Sequence, residues 1–414
     1  MSAAAPLGAA YLALHPKYKP LLGRFHPRLP EGARMERPLL LHACSVGEVN
    51  VAATLHAAIA RRWPGIPVAV TVSTVTGRAL AHQKLPSVPV LWFPFDHSRV
   101  VRRFFREINP RAVFLLETEL WPNAIATADR HRIPVAVLNG RISDRAYPRY
   151  RRYKGWIRPV VEHIQLVCAQ TEEHAGRFRE LGVCSDSVGV TGNMKFDGVR
   201  TAYTPGEMAA IRASFGFAAD DLVLVYGSLR AGDEHTAVAL WRAVRDSHPR
   251  IRFVVAPRHP EFVDTVANAF GEPVARRTQP AEDSHSGSSR VLVLDTVGEL
   301  AGLYSVASVA VVGGSFHPGV NGHNPIESAA LGVPTLFGPY MRNFADSADA
   351  LLRAGGAVQT PAEALEAEVL RLIAHPDRAS RLAANGKAAI ASAQGAVERT
   401  LRAVEESMPA VFRE

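Results

Sequence analysis

Short apolar runs alternate with longer amphipathic stretches along most of the chain. The apolar runs are rich in β-branched and aliphatic residues, which is typical of strands buried on both faces of a sheet. Amphipathic segments such as Val100–Ile108 and His174–Leu181 lie between them. This alternation predicts βαβ units and a parallel sheet. In the first half of the chain the predicted strands are Leu39–Ala43, Pro67–Val72, Val90–Phe93, Ala112–Leu116, Val135–Leu138, Ile164–Ala169 and Ser187–Val190.

The pattern pauses at Asn193–Pro205, a polar and turn-rich segment that we interpret as a hinge, and then repeats. Gln279–Arg290 is predicted to be an exposed loop, and the chain from Ala362 onward to be helical. We therefore expect an α/β protein with two Rossmann-like domains facing each other across a cleft. The expected domains are residues 1–200 and residues 201–414, and the last helices could pack back on the N-terminal domain. The second series of predicted strands is Leu222–Tyr226, Ile251–Ala256, Val291–Leu294, Val309–Gly313 and Val333–Phe337.

Composition and charge narrow the class of protein. Hydrophobic residues make up 47% of the 414 positions and charged residues 21%, which is enough apolar material for full-sized cores. The net charge of +8 favours an anionic partner, such as a nucleic acid, a membrane surface or a phosphorylated substrate. Three cysteines without metal-ligand spacing fit a reducing compartment and argue against a disulfide framework.

The N-terminal segment does not predict a membrane-spanning helix. Ala3–Leu14 is weakly apolar, is broken by Pro6 and Gly8, and is shorter than the roughly 20 residues that a span requires. The basic residues that follow could form a solvated arm or lie on an anionic bilayer surface. We expect a cytoplasmic protein that touches the membrane peripherally. These basic residues are His15, Lys17, Lys19, Arg24 and Arg28.

Candidate chemistry lies in the turns after the first series of strands, because ligands of such sheets bind beyond the carboxyl ends of the strands. In HACSVGEV, the spacing of Ser45 and Glu48 matches a capping box. Glu48 either returns a hydrogen bond to the Ser45 amide or acts as an acid or base, and the spacing alone favours the cap. In FLLETELWPN, one of Glu117 and Glu119 could face the cleft opposite Glu48. In VTGNMKFD, Lys195 is either a solvated lysine or a fixed cation for a phosphate or carboxylate.

The second series of strands is followed by turns suited to anions. VYGSLRAGDEH ends a strand in a small-residue turn whose amides could cradle an anion, and VVAPRHPEF places Arg258 at the end of the next. DTVGEL contains a second possible capping box. In VVGGSFHPGVNGHNPIESAALGVP, Asn324 is the expected N-cap and Pro325 the first helical residue, so that the positive end of the helix would point at a bound nucleotide. Glu327 either caps this helix or holds ribose hydroxyls.

The run Arg141–Arg158 is basic and contains four aromatic residues, Tyr147, Tyr150, Tyr153 and Trp156. A nucleic acid or a polyanionic lipid could bind such a run, although a solvated helix face is the plainer interpretation. The chain contains no metal-ligand pattern such as HExxH, CxxC or a suitably placed Asp-x-Asp, and no Ser-His-Asp signature.

Taken in order, these stretches resemble the 3-deoxy-D-manno-octulosonic acid (Kdo) transferases of lipopolysaccharide synthesis, which are inverting glycosyltransferases of the GT-B type. The resemblance extends from about Leu39 to about Val358. It is carried by HACSVGEV, FPFDHSRVVRRFFREINP, ETELWPN, NGRISDRAYPRYRR, VTGNMKFD, GSLRAGDEH, APRHPEF, DTVGEL and GGSFHPGVNGHNPIESAALGVPTLFGP, in the family's order. Two departures are the weakly hydrophobic N-terminus and the sequence Asn139-Gly140-Arg141 in place of Asn-Ala-Arg.

The resemblance implies transfer of Kdo from CMP-Kdo to a lipid A precursor, without a metal or cofactor, at the cytoplasmic face of the bacterial inner membrane. Glu48 would be the general base, and Glu117 and Lys195 would support the transition state. The dipole of the helix would keep Glu48 ionised, which suits a base. The residues implied to hold CMP are Pro257, Arg258, Val297, Gly298, Glu299, Leu300, Asn324, Pro325, Ile326 and Glu327.

Two other functions fit the same sequence. One is a GT-B transferase with a different donor or acceptor. The other is a non-catalytic binder of anionic lipid or nucleic acid on a degenerate transferase fold. With the Kdo transferase function we expect an anionic membrane surface and no nucleic acid as partner. The sequence predicts neither the oligomeric state nor the number of Kdo residues transferred.

Overall fold

The structure is a computed structural model that describes residues 15, 18–28, 35–279 and 289–413. The chain divides into an N-terminal unit of residues 1–198 and 393–414 and a C-terminal unit of residues 199–392. The boundary after Gly198 falls inside Asn193–Pro205, the predicted hinge. Ala3–Leu14, Lys17 and most of the loop predicted at Gln279–Arg290 lie outside the described residues.

The N-terminal unit contains a sheet of seven parallel strands in the order β3-β2-β1-β4-β5-β6-β7. Every residue of β1 to β6 is buried, which explains why these segments are mostly apolar in sequence. The strands are β1 (Leu39–His42), β2 (Val68–Val72), β3 (Val90–Trp92), β4 (Ala112–Leu116), β5 (Val135–Gly140), β6 (Leu166–Ala169) and β7 (Val188–Val190). The helices between them are α1 (Val46–Arg62), α2 (Val75–Lys84), α3 (Ser98–Ile108), α4 (Pro122–Arg130), α5 (Tyr147–Arg152), α6 (Lys154–Val161) and α7 (Glu172–Leu181).

The C-terminal unit contains a second parallel seven-stranded sheet, in the order β10-β11-β9-β8-β12-β13-β14. Its strands are β8 (Leu222–Leu229), β9 (Ile251–Pro257), β10 (Ala275–Arg276), β11 (Val291–Val293), β12 (Val309–Val312), β13 (Thr335–Phe337) and β14 (Val358–Gln359). Its helices are α8 (Pro205–Ser214), α9 (Asp233–Val244), α10 (Val263–Ala269), α11 (Leu300–Tyr304), α12 (Ile326–Ala330), α13 (Ala345–Arg353), α14 (Ala362–Ala374) and α15 (Pro376–Ala393).

The last helix, α16 (Ala396–Ser407), belongs to the N-terminal unit. It packs on α1, and its Leu401 and Val404 are buried in the core on that side of the N-terminal sheet. Asp197 fixes its start, because the two carboxylate oxygens accept hydrogen bonds from the amides of Gly395 and Val397, each at 2.6 Å. This carboxylate satisfies amides that a helix start leaves without partners.

The α/β class and the two Rossmann-like sheets predicted from the sequence are confirmed. All twelve predicted strands are present, with ends that differ by at most three residues. The prediction missed the edge strands β10 and β14, which are two residues long and therefore too short to give a recognisable hydrophobic pattern. Among the described residues, no helix is both long and apolar enough to cross a bilayer.

Candidate active site

Glu48 lies in the first turn of α1, just beyond the carboxyl end of β1. Ser45 has extended backbone and is the N-cap of the helix, but its hydroxyl accepts no amide hydrogen bond. Instead, Ser45 Oγ donates to Glu48 Oε1 at 2.8 Å, and the amide of Cys44 donates to Glu48 Oε2 at 2.7 Å. Glu48 therefore does cap the chain, although through Cys44 rather than through the predicted Ser45 amide, and both of its oxygens are engaged.

The surroundings of Glu48 favour its protonated form. The residue is only 7% exposed. Burial raises the pKa of the Glu48 carboxyl to about 8, and the negative charges of Glu117 and Glu119 add to this effect, against the hydrogen bonds from Ser45 and Cys44. The expectation that the helix dipole keeps Glu48 ionised is therefore wrong for the ligand-free site, because burial and two neighbouring carboxylates outweigh the dipole.

Glu117 follows β4 directly and has a left-handed backbone, with φ +59°. Such a conformation is strained for a residue with a side chain and often occurs at functional sites. Its amide donates to the carbonyl of Leu138 on the adjacent strand at 3.0 Å, and its Oε1 lies 2.7 Å from Lys195 Nζ. The structure thus brings Glu117 and Lys195 together as an ion pair next to Glu48.

Lys195 is held in a short 3-10 turn, Met194–Phe196. Asn193 begins this turn, since its Oδ1 accepts from the Lys195 amide at 3.0 Å. Asn139, which is left-handed near the end of β5, accepts from the Met194 amide through its Oδ1 at 2.9 Å. Sequence analysis did not assign Asn139 a role, yet this side chain ties the lysine turn to the sheet.

Glu119 points into a buried polar network rather than into solvent. Trp121 Nε1 donates to Glu119 Oε2 at 2.9 Å and lies 3.2 Å from His42 Nε2. His42, the last residue of β1, is fully buried, and its Nδ1 lies 3.2 Å from the carbonyl of Thr71 on β2. Sequence analysis missed His42 and Trp121; the available signal was a histidine ending an otherwise apolar strand.

Arg24 is buried, contrary to its expected place in a solvated or membrane-bound basic arm. Its Nε donates to the carbonyl of Phe93 at 3.0 Å, and its guanidinium lies 4.4 Å from the centre of the Phe95 ring. The segment Lys19–Phe25 is thereby fixed against the end of β3. Burial lowers the pKa of Arg24, and the nearby Cys44, Glu119 and Asp96 oppose this change.

In the C-terminal unit, five residues predicted to hold CMP line one cavity of about 90 Å³ at the carboxyl ends of β8, β9 and β11. They are Pro257, Arg258, Val297, Gly298 and Leu300, and they are joined there by Ser228, Asp295 and Thr296, among others. The sequence around them folds as predicted, except that α11 begins at Leu300 and not within the Thr296–Glu299 box.

Glu299 does not line this cavity. Its carboxylate pairs with Arg277, with Arg277 Nη2 2.9 Å from Glu299 Oε1, and accepts a hydrogen bond from the Thr296 hydroxyl. In a capping box, the Glu299 carboxylate would accept a hydrogen bond from a backbone amide. Here it binds Arg277 and the Thr296 hydroxyl instead. The hydrogen bond from Arg277 lowers the pKa of Glu299, so this carboxylate is ionised.

Asn324 starts the turn that leads into α12. Its Oδ1 accepts from the Ile326 amide at 3.1 Å, and its Nδ2 donates to Glu327 Oε1 at 3.2 Å. The helix begins at Ile326, so Pro325 occupies the capping position, one residue later than predicted. Because α12 has only five residues, its dipole is weaker than the sequence analysis assumed.

A group of basic side chains surrounds Arg258 at the carboxyl ends of β8, β9 and β12. Arg230 follows β8 and hydrogen bonds to His259. Burial, together with the positive charges of Arg258, Arg230 and His259, lowers the pKa of His323 to about 4. Of this group, only Arg258 was expected from the sequence to bind an anion, because Arg230 and His323 reach this place from separate loops.

Asp233 organises the loops that carry these cations. It is 1% exposed, and its Oδ2 accepts from the amides of Arg230 at 2.9 Å and Gly314 at 2.6 Å. One buried carboxylate therefore connects the loop after β8 to the glycine-rich loop after β12. The surrounding cations remain available for an anionic ligand.

Two parallel Rossmann-like sheets, with ionisable residues at the carboxyl ends of their strands, define an enzyme fold of the GT-B type. Solved structures of nucleotide-sugar enzymes share this fold. The UDP-GlcNAc 2-epimerase from Neisseria meningitidis bound to UDP-GlcNAc has a TM-score of 0.58, covers 88% of this chain and 100% of its own, and is 16% identical. At that identity the similarity shows the fold alone.

Sequence relatives identify the family. A family model described as 3-deoxy-D-manno-octulosonic-acid transferase (kdotransferase) matches residues 19–198. The 3-deoxy-D-manno-octulosonic acid transferase of Bordetella pertussis is 32% identical, over 93% of this chain and 90% of its own. The enzyme of the same name from Haemophilus influenzae is 28% identical, over 88% of this chain and 85% of its own. The chain belongs to the Kdo transferase family and is a glycosyltransferase.

Proposed function

We propose that this enzyme transfers Kdo from CMP-Kdo to a lipid A precursor of the lipid IVA type, with inversion at the anomeric carbon and with Glu48 as the general base. The observation that supports this proposal most directly is the position of Glu48. It is a buried carboxylate at a strand end, held through both oxygens, next to the Glu117–Lys195 ion pair. Family membership supplies the donor sugar and the class of acceptor.

The proposed step forms one bond and breaks one. The acceptor hydroxyl oxygen bonds to the anomeric carbon of Kdo on the face opposite the phosphate, while the bond from that carbon to the phosphate oxygen breaks. CMP leaves with the electron pair, and the hydroxyl proton passes to Glu48. The high proton affinity of Glu48 makes it an effective acceptor for this proton. Lys195, already paired with Glu117, supplies positive charge near the reacting groups.

We assign donor binding to the C-terminal unit. CMP-Kdo carries a phosphodiester and a carboxylate, and Arg230 and Arg258 lie where a phosphate at the carboxyl ends of β8 and β9 would need them. The cavity next to Arg258 would hold the rest of CMP, together with Asn324, Pro325, Ile326 and Glu327 at the start of α12. No step in this scheme calls for a metal or another cofactor.

We further propose that α5 and α6 contact the anionic cytoplasmic surface of the bacterial inner membrane. Between Arg145 and Arg158 the chain has six cations and no acid. No ion pair joins these cations to an acid within the described part of the chain. Trp156 is 85% exposed and Tyr153 is 51% exposed. Exposed amphipathic rings among cations suit the headgroup region of a bilayer.

The transfer reaction can be tested with purified protein, CMP-Kdo and a lipid A precursor, with mass spectrometry counting the sugars added. Glu48→Gln keeps the size of the side chain and should abolish transfer, while the protein remains folded and binds CMP with unchanged affinity. A fully active Glu48→Gln enzyme would leave Glu48 as a cap only. Turnover of UDP-sugars without any turnover of CMP-Kdo would point to a GT-B enzyme with a different donor.

The membrane contact can be tested separately by sedimentation with vesicles of neutral or anionic lipid. The wild-type protein should bind anionic vesicles, and binding should weaken with salt. Tyr153→Ala/Trp156→Ala should reduce binding about tenfold, whereas Tyr340→Ala, which removes a 39% exposed tyrosine from the other unit, should not. Equal binding of wild type and double variant would refute the assignment, as would a preference for RNA over vesicles.

A further inference from the structure

Glu119 has no role in the proposed reaction, yet its carboxylate is held as firmly as that of Glu48. It lies one strand away from Glu48, in the turn after β4, and β4 pairs directly with β1. Trp121 Nε1 donates to Glu119 Oε2 at 2.9 Å, and His42 Nε2 lies 3.5 Å from the same oxygen. A solvated carboxylate would not need a buried and a partly buried aromatic partner.

His42 is itself held in place from two sides. Its ring stacks on Phe93, with centroids 3.9 Å apart, and its Nδ1 is within hydrogen-bond distance of the Thr71 carbonyl and hydroxyl. With the proton on Nε2, the neutral ring directs this N–H toward Glu119 Oε2, 3.5 Å away, while Nδ1 accepts from the Thr71 hydroxyl at 3.1 Å. Burial lowers the pKa of His42, in agreement with a neutral ring.

Cys44 connects Glu119 to Glu48. The Cys44 amide donates to Glu48 Oε2, and the Cys44 side chain helps to lower the pKa of Glu119. Burial raises the pKa of the Cys44 thiol to about 12, and both carboxylates contribute to this increase, so the thiol stays neutral. The two carboxylates therefore flank one uncharged residue.

The charges around this pair are distributed unevenly. Glu117 faces Glu48, but Lys195 neutralises it. Arg24 and Tyr150 also interact electrostatically with Glu119. Burial favours the protonated form of Glu119, but the hydrogen bonds from His42, Trp121 and Cys44 outweigh it and lower the pKa. Glu119 is thus a fixed negative charge near Glu48.

We propose that Glu119 is a positioning residue for the reaction: it holds a negative charge against the Cys44 turn and thereby strengthens Glu48 as a proton acceptor. This inference rests on the proposed role of Glu48 as the base. A negative charge within a few ångströms of a buried carboxylate raises the affinity of that carboxylate for a proton. Trp121 and His42 keep the charge in place without neutralising it.

The test is the pH dependence of kcat/KM for Kdo transfer in Glu119→Gln. Glutamine keeps an oxygen that can accept from Trp121 but removes the charge. The acidic limb of the profile should move to lower pH by on the order of one unit, and the plateau rate should fall, because Glu48 becomes a weaker base. The KM for CMP-Kdo should stay unchanged. Glu119→Asp, which keeps the charge, should leave the limb close to that of wild type.

Two controls separate the possible outcomes. Glu162→Gln removes an exposed carboxylate from the same unit and should leave the profile unchanged. An NMR titration of ¹³C-labelled glutamate carboxyls, with the Glu48 signal assigned by its loss in Glu48→Gln, should show the same downward shift in Glu119→Gln without any turnover. If Glu119→Gln does not fold, Glu119→Ala is the substitute, since it leaves room for water.

The inference would be overturned if, in Glu119→Gln, both the acidic limb of the kcat/KM profile and the NMR titration of Glu48 stayed at their wild-type pH. This holds even if the variant were less active or less stable. Glu119 would then be a structural residue only. If Glu48→Gln proved fully active, the proposed base role would fail first and this inference with it. An inactive Glu48→Gln together with an unshifted Glu119→Gln would refute the present inference alone.

Discussion

The ammonium group of Lys195 lies 2.7 Å from the carboxylate of Glu117. Glu117 follows the central strand β4 and Lys195 follows the last strand β7, and each is held by unusual local structure. Glu117 has a left-handed backbone, and Lys195 lies in a turn anchored by Asn139 and Asn193. Because Glu117 also faces Glu48, this ion pair controls how much negative charge the proposed base experiences.

Removal of the lysine should expose Glu48 to the full charge of Glu117. We expect Lys195→Met to lower kcat by about 10²- to 10³-fold and to move the acidic limb of the pH profile to higher pH. Glu117→Gln should move the limb to lower pH. In the double variant the two charge effects should largely cancel, so the acidic limb of its pH profile should lie near that of wild type. If the acidic limbs of both single variants and the double variant coincided, this coupling would be contradicted.

The wild-type enzyme should become more active as pH rises. A carboxyl group with a pKa of about 8 is mostly protonated at neutral pH and must lose its proton before it can act as a base. Hence kcat/KM should increase about tenfold per pH unit between about pH 5.5 and 7.5 and level off only above about pH 8. A profile that is already flat at pH 6 would contradict the role of a buried Glu48.

Ser45→Ala should shift this profile without disturbing the helix. The Ser45 hydroxyl donates to Glu48 and lowers its pKa, so its loss should raise the pKa and move the limb to higher pH. Thr171→Ala is the matched control at the N-cap of α7, where Thr171 Oγ1 accepts from the His174 amide. It should cost about 1 kcal/mol of stability and leave the limb unchanged.

Glu48 should also cost the protein stability at alkaline pH. Its pKa is raised in the folded state, so the folded protein binds more protons than the unfolded chain between about pH 4.5 and 8, and stability falls as pH rises through this range. Glu48→Gln should remove this dependence. Relative to wild type, its gain in free energy of unfolding should grow with pH to no more than about 5 kcal/mol. Thermal melts at pH 5 and pH 8.5 measure the difference, and equal gains at both would be inconsistent with a buried, strained carboxylate.

Donor binding should depend on the position of arginines and not only on their charge. Arg258→Ala should weaken CMP binding by about 10- to 100-fold, since a charged hydrogen bond contributes about 1.5 to 3 kcal/mol. Arg290→Ala removes the same charge from the N-terminal side of β11, where Arg290 donates to the Arg245 carbonyl and lies over Trp241. Calorimetry with CMP should show no loss for this control; equal losses would indicate a general effect of charge.

Much of the fold could be predicted because its signal is local. Strands buried on both faces are recognisable as apolar runs, and the resemblance to a family supplied the candidate residues. The proton affinity of Glu48 could not be predicted in this way. It depends on Glu117 and Glu119, which reach Glu48 only because β4 pairs with β1 in the sheet. Helix-dipole reasoning considered only the residue's own helix and gave the wrong sign.

Arg24 shows a second limit of the sequence. In a row of basic residues near the start of the chain, nothing distinguishes it from its neighbours. The structure buries it against Phe93 and Phe95, contacts made by residues far along the chain. The group of basic residues at the proposed donor site could not be predicted for the same reason. Arg230, Arg258 and His323 come from three loops that only the order of strands brings together.

The division of the chain also affects its synthesis. The C-terminal unit is one continuous stretch, whereas the N-terminal unit requires α16, which is made after it. On the ribosome, the face of α1 that packs against Leu401 and Val404 stays uncovered while the whole C-terminal unit emerges. The unit that is synthesised first is therefore completed last. Its exposed apolar face is the place where a chaperone would bind the nascent enzyme.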